Sequence, residues 1–250
     1  MMRRFFLCLF LLALAPLGQA AVSYPVPLGV QARGIFPYFL VGQLTFTSGR
    51  TDYVASGSVI ALHSVLTAGH NVYDPDTGFS TKLEFARGLY GRQVSPAPVL
   101  ATRRYVFAQY QGAAVQYGPD DIRTFARDSA GLVFAKELAP RHMMYTPDVN
   151  YLHAPHLLLG VGYGAEGQHT GEVPLVIRPT TSFYHTYGNF VESRSIYVEG
   201  GMSGGPLFST SPTGTLVQIG IIVSGSTEPV AGGVRLLDAP LISNIKTYLP

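Results

Sequence analysis

The sequence predicts an all-β protein that ends in a single α-helix. Three observations carry this expectation. Apolar residues make up 47% of the 250-residue chain and charged residues only 13%, a balance that suits well-buried sheets. The apolar residues fall in short runs rich in valine, isoleucine, leucine and threonine, separated by glycine, proline and aspartate turns. Helical periodicity is persuasive only in the C-terminal tail, and the sequence has no internal repeat, heptad pattern or low-complexity tract.

Residues 1–20 read as a signal peptide. Arg3-Arg4 form a positive start, Phe5 to Leu17 an apolar core, and Gly18-Gln19-Ala20 a small-residue cleavage site. A helix of that core length spans about 20 Å, short of a bilayer core of about 30 Å, so no stable membrane insertion is expected after cleavage. Cys8 is the only cysteine. It lies too early for a lipoprotein, and its loss leaves an exported chain, secreted or periplasmic, without disulfides. Two of the 17 basic residues leave with the leader, and the remaining 15 balance 15 acidic residues. No basic stripe remains, so nucleic acid is not an expected partner. No cofactor is expected, and a monomer is.

Ala21 to Phe36 lacks periodicity and reads as an arm or propeptide. Tyr38 to Phe46 begins the β pattern, Ser48 to Asp52 is a turn, Tyr53 to Leu62 a second strand, and Val65 to Thr67 a short third one leading to His70. Tyr73 to Gly78 is turn-rich. Its aspartates lack the full spacing of a calcium loop, so no metal site is assigned. Tyr105, Phe107, Tyr110 and Tyr117 are candidates to wall a cleft, with packing as the simpler role. Ala139 to Pro147 reads as a link between two halves. Beyond it, Leu157 to Val161, Pro174 to Ile177, Ser195 to Tyr197 and Val217 to Val223 are expected strands, the last ending at Ser224-Gly225-Ser226. In the tail, Asp238 is placed to cap a helix with Pro240 in its first turn and Leu241, Ile242, Ile245, Tyr248 and Leu249 on one face.

The chemistry concentrates in Gly200-Gly201-Met202-Ser203-Gly204-Gly205-Pro206-Leu207. Ordered glycine costs backbone entropy, so four glycines around one serine call for a conformational reason. An oxyanion hole supplies it: Ser203 would be a nucleophile, with the amides of Gly201 and Ser203 as donors to the oxygen of a tetrahedral intermediate. The plainer reading is a glycine-rich surface turn. A serine nucleophile needs a base, usually histidine, oriented by a carboxylate. None of the seven histidines follows Ser203, which excludes the Ser, Asp/Glu, His order of α/β-hydrolases despite a matching G-x-S-x-G. Only Asp52 precedes His70, in a stretch unlike a catalytic strand end. The order His, Asp, Ser remains. His70 closes the β-branched run Ser64 to Gly69 and is the favoured base, although a lone histidine after a strand is more often structural. Asp128 stands immediately before the apolar run Ala130 to Phe134, where it would be desolvated behind an imidazole. It is favoured over Asp120 and Asp121, which read as an exposed turn.

Three stretches together resemble the trypsin-like, chymotrypsin-fold serine endopeptidases, and most of all their bacterial secreted members, including the glutamyl endopeptidase group. Leu66-Thr67-Ala68-Gly69-His70 is similar to the family's Leu-Thr-Ala-Ala-His, Asp128-Ser129-Ala130-Gly131-Leu132 to its Asp-Ile-Ala-Leu-Leu, and Gly201 to Leu207 to its Gly-Asp-Ser-Gly-Gly-Pro-Leu. The resemblance spans Pro37 to the C-terminus. It implies two packed antiparallel six-stranded β-barrels: residues 37–140 with the histidine and aspartate, and residues 141–250 with the serine, the oxyanion hole, the substrate pocket and a terminal helix. It further implies hydrolysis of protein or peptide substrates through His70, Asp128 and Ser203, and substrate contacts at Tyr197, Val198, Ser224, Gly225 and Ser226.

The pattern departs from the family in two places. Met202 stands where trypsin has the aspartate that pairs with a new N-terminal amine. A processing site at Arg33-Gly34 would therefore have no acceptor for that switch. The pocket positions Tyr197, Val198, Val223 to Ser226 and Gly232-Gly233 carry no charge, which leaves arginine, lysine and glutamate preference without support. Val223 occupies the place of the glutamyl endopeptidases' pocket histidine. Small or apolar side chains before the scissile bond are expected instead. The rival expectation is a binding protein on an inactive protease scaffold, its cleft blocked by the stretch from Glu84 to Arg127.

Overall fold

The computed structural model describes residues 22–91, 97–107, 109–140, 142, 145–146, 149–152, 157–166, 169–179, 183–211, 213–227 and 230–249; the leader expected at 1–20 lies outside them. The described chain begins on the second half of the molecule. The amide of Ser23 donates to the Ser195 carbonyl at 2.7 Å, its carbonyl accepts from the Tyr197 amide at 3.0 Å, and β1 (Val26–Pro27) follows.

The first half contains β2 (Val41–Ser48), β3 (Thr51–Ala61), β4 (Ser64–Thr67), the small ladder of β5 (Tyr73–Asp74) and β6 (Gly78–Phe79), β7 (Thr81–Arg87), β8 (Val99–Val106), helices α1 (Tyr110–Tyr117) and α2 (Ile122–Phe125), and β9 (Ala130–Phe134). Six of these strands close a barrel in the order β2-β3-β4-β9-β8-β7, which leaves it no free edge. β4 and β9 are buried along their whole length, which explains why both read as unbroken apolar or small-residue runs rather than alternating ones.

The second half contains β10 (Leu158–Gly162), β11 (Leu175–Ile177), β12 (Tyr184–Tyr187), β13 (Phe190–Ser193), β14 (Pro206–Thr210), β15 (Leu216–Thr227), β16 (Val230–Leu236) and helix α3 (Ala239–Tyr248). Among the described residues its strands form one eight-stranded antiparallel sheet, β1-β11-β10-β14-β15-β16-β13-β12. The second unit is thus a large sheet that takes its first edge strand from the N-terminal arm. One apolar core runs through both halves, joining Leu44, Phe85 and Leu132 of the barrel to Val161, Tyr163, Phe208, Ile221 and Val223 of the sheet. Among the described residues no helix is long and apolar enough to cross a membrane.

Several elements differ from the sequence expectation. Tyr38–Leu40 is a 3-10 turn behind Pro37, whose carbonyl accepts the Leu40 amide at 2.9 Å, and the strand starts only at Val41. Ser195 to Tyr197 is not a strand: Ile196 alone bridges to Ser23. Helix α1 was not foreseen, because its inward face is only Tyr110, Ala113 and Ala114, too small a stripe to show as periodicity. The aromatic residues of this stretch make packing contacts, and Tyr105 and Phe107 also line a cavity against the tail helix. Tyr105 lies 5.2 Å from Tyr248, ring centre to ring centre, Tyr110 is buried, and Tyr117 lies under the Arg123 guanidinium.

Helix α3 has the expected start. Asp238 accepts the Leu241 amide at 2.7 Å, and Pro240 sits in the first turn. Leu241, Ile245 and Leu249 are buried while Tyr248 is 46% exposed. The helix packs back onto the first half: a Cβ on Gly131 of β9 would lie 2.5 Å from Leu249 Cδ1.

Candidate active site

His70 follows β4 in a single 3-10 turn, Gly69–Asn71. Asp128 holds it twice: Oδ1 accepts the His70 main-chain amide at 2.9 Å, and Oδ2 lies 2.6 Å from ring Nδ1. Asp128 is fully buried while the His70 side chain is 31% exposed. This leaves part of the imidazole open to solvent, with its tautomer set by Asp128. Gly69 is required for this approach, since a Cβ there would lie 2.8 Å from the Tyr110 ring and 3.0 Å from Asp128 Oδ1. Burial disfavours the imidazolium, but the Asp128 charge and hydrogen bond, with a further contribution from Asp120, outweigh it, and the His70 pKa is raised above its ordinary value of 6.5.

Ser203 comes from the other half. The turn before it runs from Glu199 to Met202, whose amide donates to the Glu199 carbonyl at 3.1 Å, with Gly201 at φ +92° in its third position. A left-handed third residue is the mark of a type II turn and demands glycine. A Cβ on Gly201 would also lie 2.5 Å from the Tyr163 carbonyl oxygen. Among the described residues, the amides of Met202, Gly204 and Gly205 donate to main-chain carbonyls, whereas those of Gly201 and Ser203 do not. Gly204, at φ +89°, has no room for a side chain either, because a Cβ would fall 2.2 Å from the Ser56 carbonyl oxygen.

A cleft of about 470 Å³ lies where the two halves meet. His70, Gly201, Ser203, Ser224 and Gly225 line it, with Phe46, Tyr53, Asp120 and Phe125 along its sides. The cleft therefore gathers His70 and Ser203, 133 residues apart in sequence, with Asp128 behind the histidine.

The remaining residues expected to contact substrate lie elsewhere. Val198 is buried behind Gly225, whose Cβ would approach the Val198 carbonyl oxygen to 2.5 Å, and a Cβ on Gly232 would approach Val198 Cγ2 to 2.7 Å. Tyr197 turns outward, donating to Glu166 Oε2 at 3.0 Å with its ring 5.6 Å from that of Tyr24. Ser226 is exposed farther along β15. In the turn of residues 73–78, Asp74 Oδ1 accepts from the amides of Asp76 and Thr77, and among the described residues no group of three or more metal-ligating side chains occurs.

Sequence reasoning missed the residues that hold the serine turn in place. Met202 is fully buried, and polar partners surround the turn instead of an ion pair at that position. Ser56, Asn71 and the pair His169–Glu199 contact it, His169 Nδ1 lying 2.8 Å from both Glu199 carboxylate oxygens. A serine in a strand and a histidine in a loop carry no motif, and their partners are far away in sequence.

Compared by sequence, the chain matches no family model and no curated protein. Compared by structure, it is similar to the protease Anisep from Arthrobacter nicotinovorans, at a TM-score of 0.66 and 19% identity over 84% of this chain and 94% of that one. It is also similar to the thermostable serine protease AL20 from an extremophilic microorganism, at 0.64 and 18% over 82% and 94%, and to a Glu endopeptidase solved in complex with MPD, at 0.69 and 18% over 92% and 97%. At such identities the likeness is one of fold. The chain has the chymotrypsin-like fold of bacterial serine proteases.

Proposed function

We propose that the chain is a secreted serine endopeptidase that works through an acyl-enzyme, with His70, Asp128 and Ser203 as its triad. The observation that carries the proposal is the double grip of Asp128 on His70 beside a cleft that His70 shares with Ser203. His70 Nε2 takes the proton of Ser203 Oγ as the oxygen attacks the peptide carbonyl carbon. Asp128 stabilises the imidazolium so formed, and the Gly201 and Ser203 amides receive the oxyanion. Collapse passes the proton from His70 to the leaving amine. Water then repeats the cycle on the acyl-enzyme and releases the acid. No cofactor or metal is needed for these steps, and the chain acts as a monomer on protein or peptide substrates.

Ser224 and Gly225, with Val198 behind them, form the wall for the side chain preceding the scissile bond. Val198 fills the space against Gly225 and Gly232, so small or apolar side chains fit there. The arm at residues 22–28 stays with the mature enzyme, since its main chain bonds to Ser195, Tyr197 and Pro174, whereas residues 1–20 are removed on export.

The test is intact mass after treatment with a serine-reactive fluorophosphonate, run on the wild-type chain and on His70→Ala. One stoichiometric adduct mapped to Ser203, and lost in the variant, supports the triad. A well-folded wild-type protein that takes no label points instead to a binding protein on an inactive scaffold, its cleft bordered by Pro119, Asp120 and Phe125.

A further inference from the structure

We propose that Ser56 is a positioning residue for the oxyanion turn, clamping it from the opposite half of the molecule. The inference rests on the triad reading above and adds to it a residue that no motif marks. Ser56 lies within β3 and is fully buried. Its amide donates to the Ser203 carbonyl at 2.9 Å. Its hydroxyl donates to the Gly201 carbonyl at 2.7 Å and accepts the Tyr163 amide at 2.7 Å. Its own carbonyl accepts from Thr67 Oγ1 at 2.7 Å. A buried hydroxyl is costly unless bonded, and this one is bonded as donor and acceptor.

The two residues whose amides would receive the oxyanion, Gly201 and Ser203, are thus each held by their carbonyl oxygens, and Ser56 holds both. Gly201 has no side chain to restrain its torsions, so the direction of its amide depends on what fixes the peptides on either side. The peptide after Gly201 is pinned at its oxygen by Ser56 and at its nitrogen by the Glu199 carbonyl. Met202, fully buried, brings a thioether in place of a charged anchor. The same Ser56 hydroxyl ties this turn to Tyr163 at the end of β10, against which Gly201 is packed. Asn71, next to His70, adds a second bond to the Ser203 carbonyl at 3.1 Å. The clamp therefore registers the donors of one half against the base of the other.

The test is Ser56→Ala, with turnover expressed per site titrated by the fluorophosphonate. Oxyanion donors act on the transition state, so kcat per site is expected to fall about 10–100-fold, less than the roughly 10²–10³-fold cost of deleting a donor outright. KM for a peptide substrate and affinity for the product peptide are expected to stay within about twofold. Affinity for a peptide boronate, which binds as a tetrahedral serine adduct, should fall in step with kcat. Unchanged kcat per site, or equal losses in boronate and product affinity, overturns the clamp. Should Ser56→Ala fail to fold, Ser56→Cys replaces it, since a thiol of similar shape donates only weakly; the same split is expected, and its absence is equally decisive against the proposal. A wild-type chain that neither labels nor cleaves overturns the triad reading, and the clamp with it. A loss confined to the variants cannot be confused with that outcome.

Discussion

The two ends of the chain cross over, and they are held by different physics. The N-terminal arm completes the sheet of the second half through main-chain hydrogen bonds at Ser23, Val26–Pro27 and Leu28, while Tyr24 and Val26 remain 60% and 57% exposed. The C-terminal helix returns to the barrel of the first half and is held by side chains, with Leu241, Ile245 and Leu249 buried. Main-chain pairing tolerates almost any side chain, whereas packing is specific to shape and volume. The arm is therefore expected to tolerate substitution at its exposed positions Tyr24 and Val26, and the helix to tolerate few. The candidate site repeats the contrast in part. The Asp128 side chain holds His70 within the first half, whereas the turn before Ser203 is shaped by main-chain bonds, to which the Ser56 and Asn71 side chains of the first half add.

The largest expected effect tests the side-chain half of the site. Asp128→Asn should lower kcat about 10⁴-fold while preserving the fold, because the amide favours the wrong tautomer of His70. It also gives a pH signature. The His70 pKa is raised in the folded chain, so the stability that Asp128 lends the imidazolium is present below the unfolded value of 6.5 and is lost as pH rises through the higher folded pKa. The proposed base needs the neutral ring and runs the other way: kcat/KM is expected to rise through a pKa above 6.5. In Asp128→Asn the residual rate should follow a lower one. A limb that stays in place when Asp128 is changed would detach the two residues.

Next comes the junction of sheet and helix. Asp238 accepts from Leu241 as a helix cap and from Arg235 Nη2 at 2.9 Å, and Asn189 donates to it as well. Arg235 is only 1% exposed. An ordinary cap is worth about 1 kcal/mol, but Asp238→Ala also strands a buried guanidinium, so about 3–5 kcal/mol is expected in urea unfolding. Leu249→Ala should follow, at about 2–4 kcal/mol, through the cavity it opens over Gly131. The smallest effect belongs to the arm. Tyr24→Ala should change stability by less than about 0.5 kcal/mol, although deleting residues 22–28 should cost far more. Were Tyr24→Ala to match Leu249→Ala, the distinction between the two ends would collapse.

The architecture was legible where the pattern was local. The apolar run before His70, the strand after Asp128, the long β15 and the capped tail helix all announce themselves within a few residues. Helix α1 did not, because its inward stripe is short and carried partly by alanine. The 3-10 turn at Tyr38–Leu40 has strand-like composition and is turned by the proline before it. In the candidate site, the octet around Ser203 and the residues before His70 stood out because their chemistry demands unusual local sequence. Ser56, Asn71 and the His169–Glu199 pair did not, because each acts across at least 30 residues of chain.

What this chain's sequence determined by itself is the β-rich class, the capped tail helix and the order His70, Asp128, Ser203 along the chain. These depend on periodicity, turn residues and residue type, all of which act over short range. Only the tertiary structure decided that the arm joins the second sheet, that the tail helix serves the first barrel, that Val198 lies behind Gly225, and that a buried serine from one half bonds to the turn before Ser203 in the other. Those are relations between distant surfaces, fixed by which shapes pack and which buried polar groups find partners, and no local pattern encodes them.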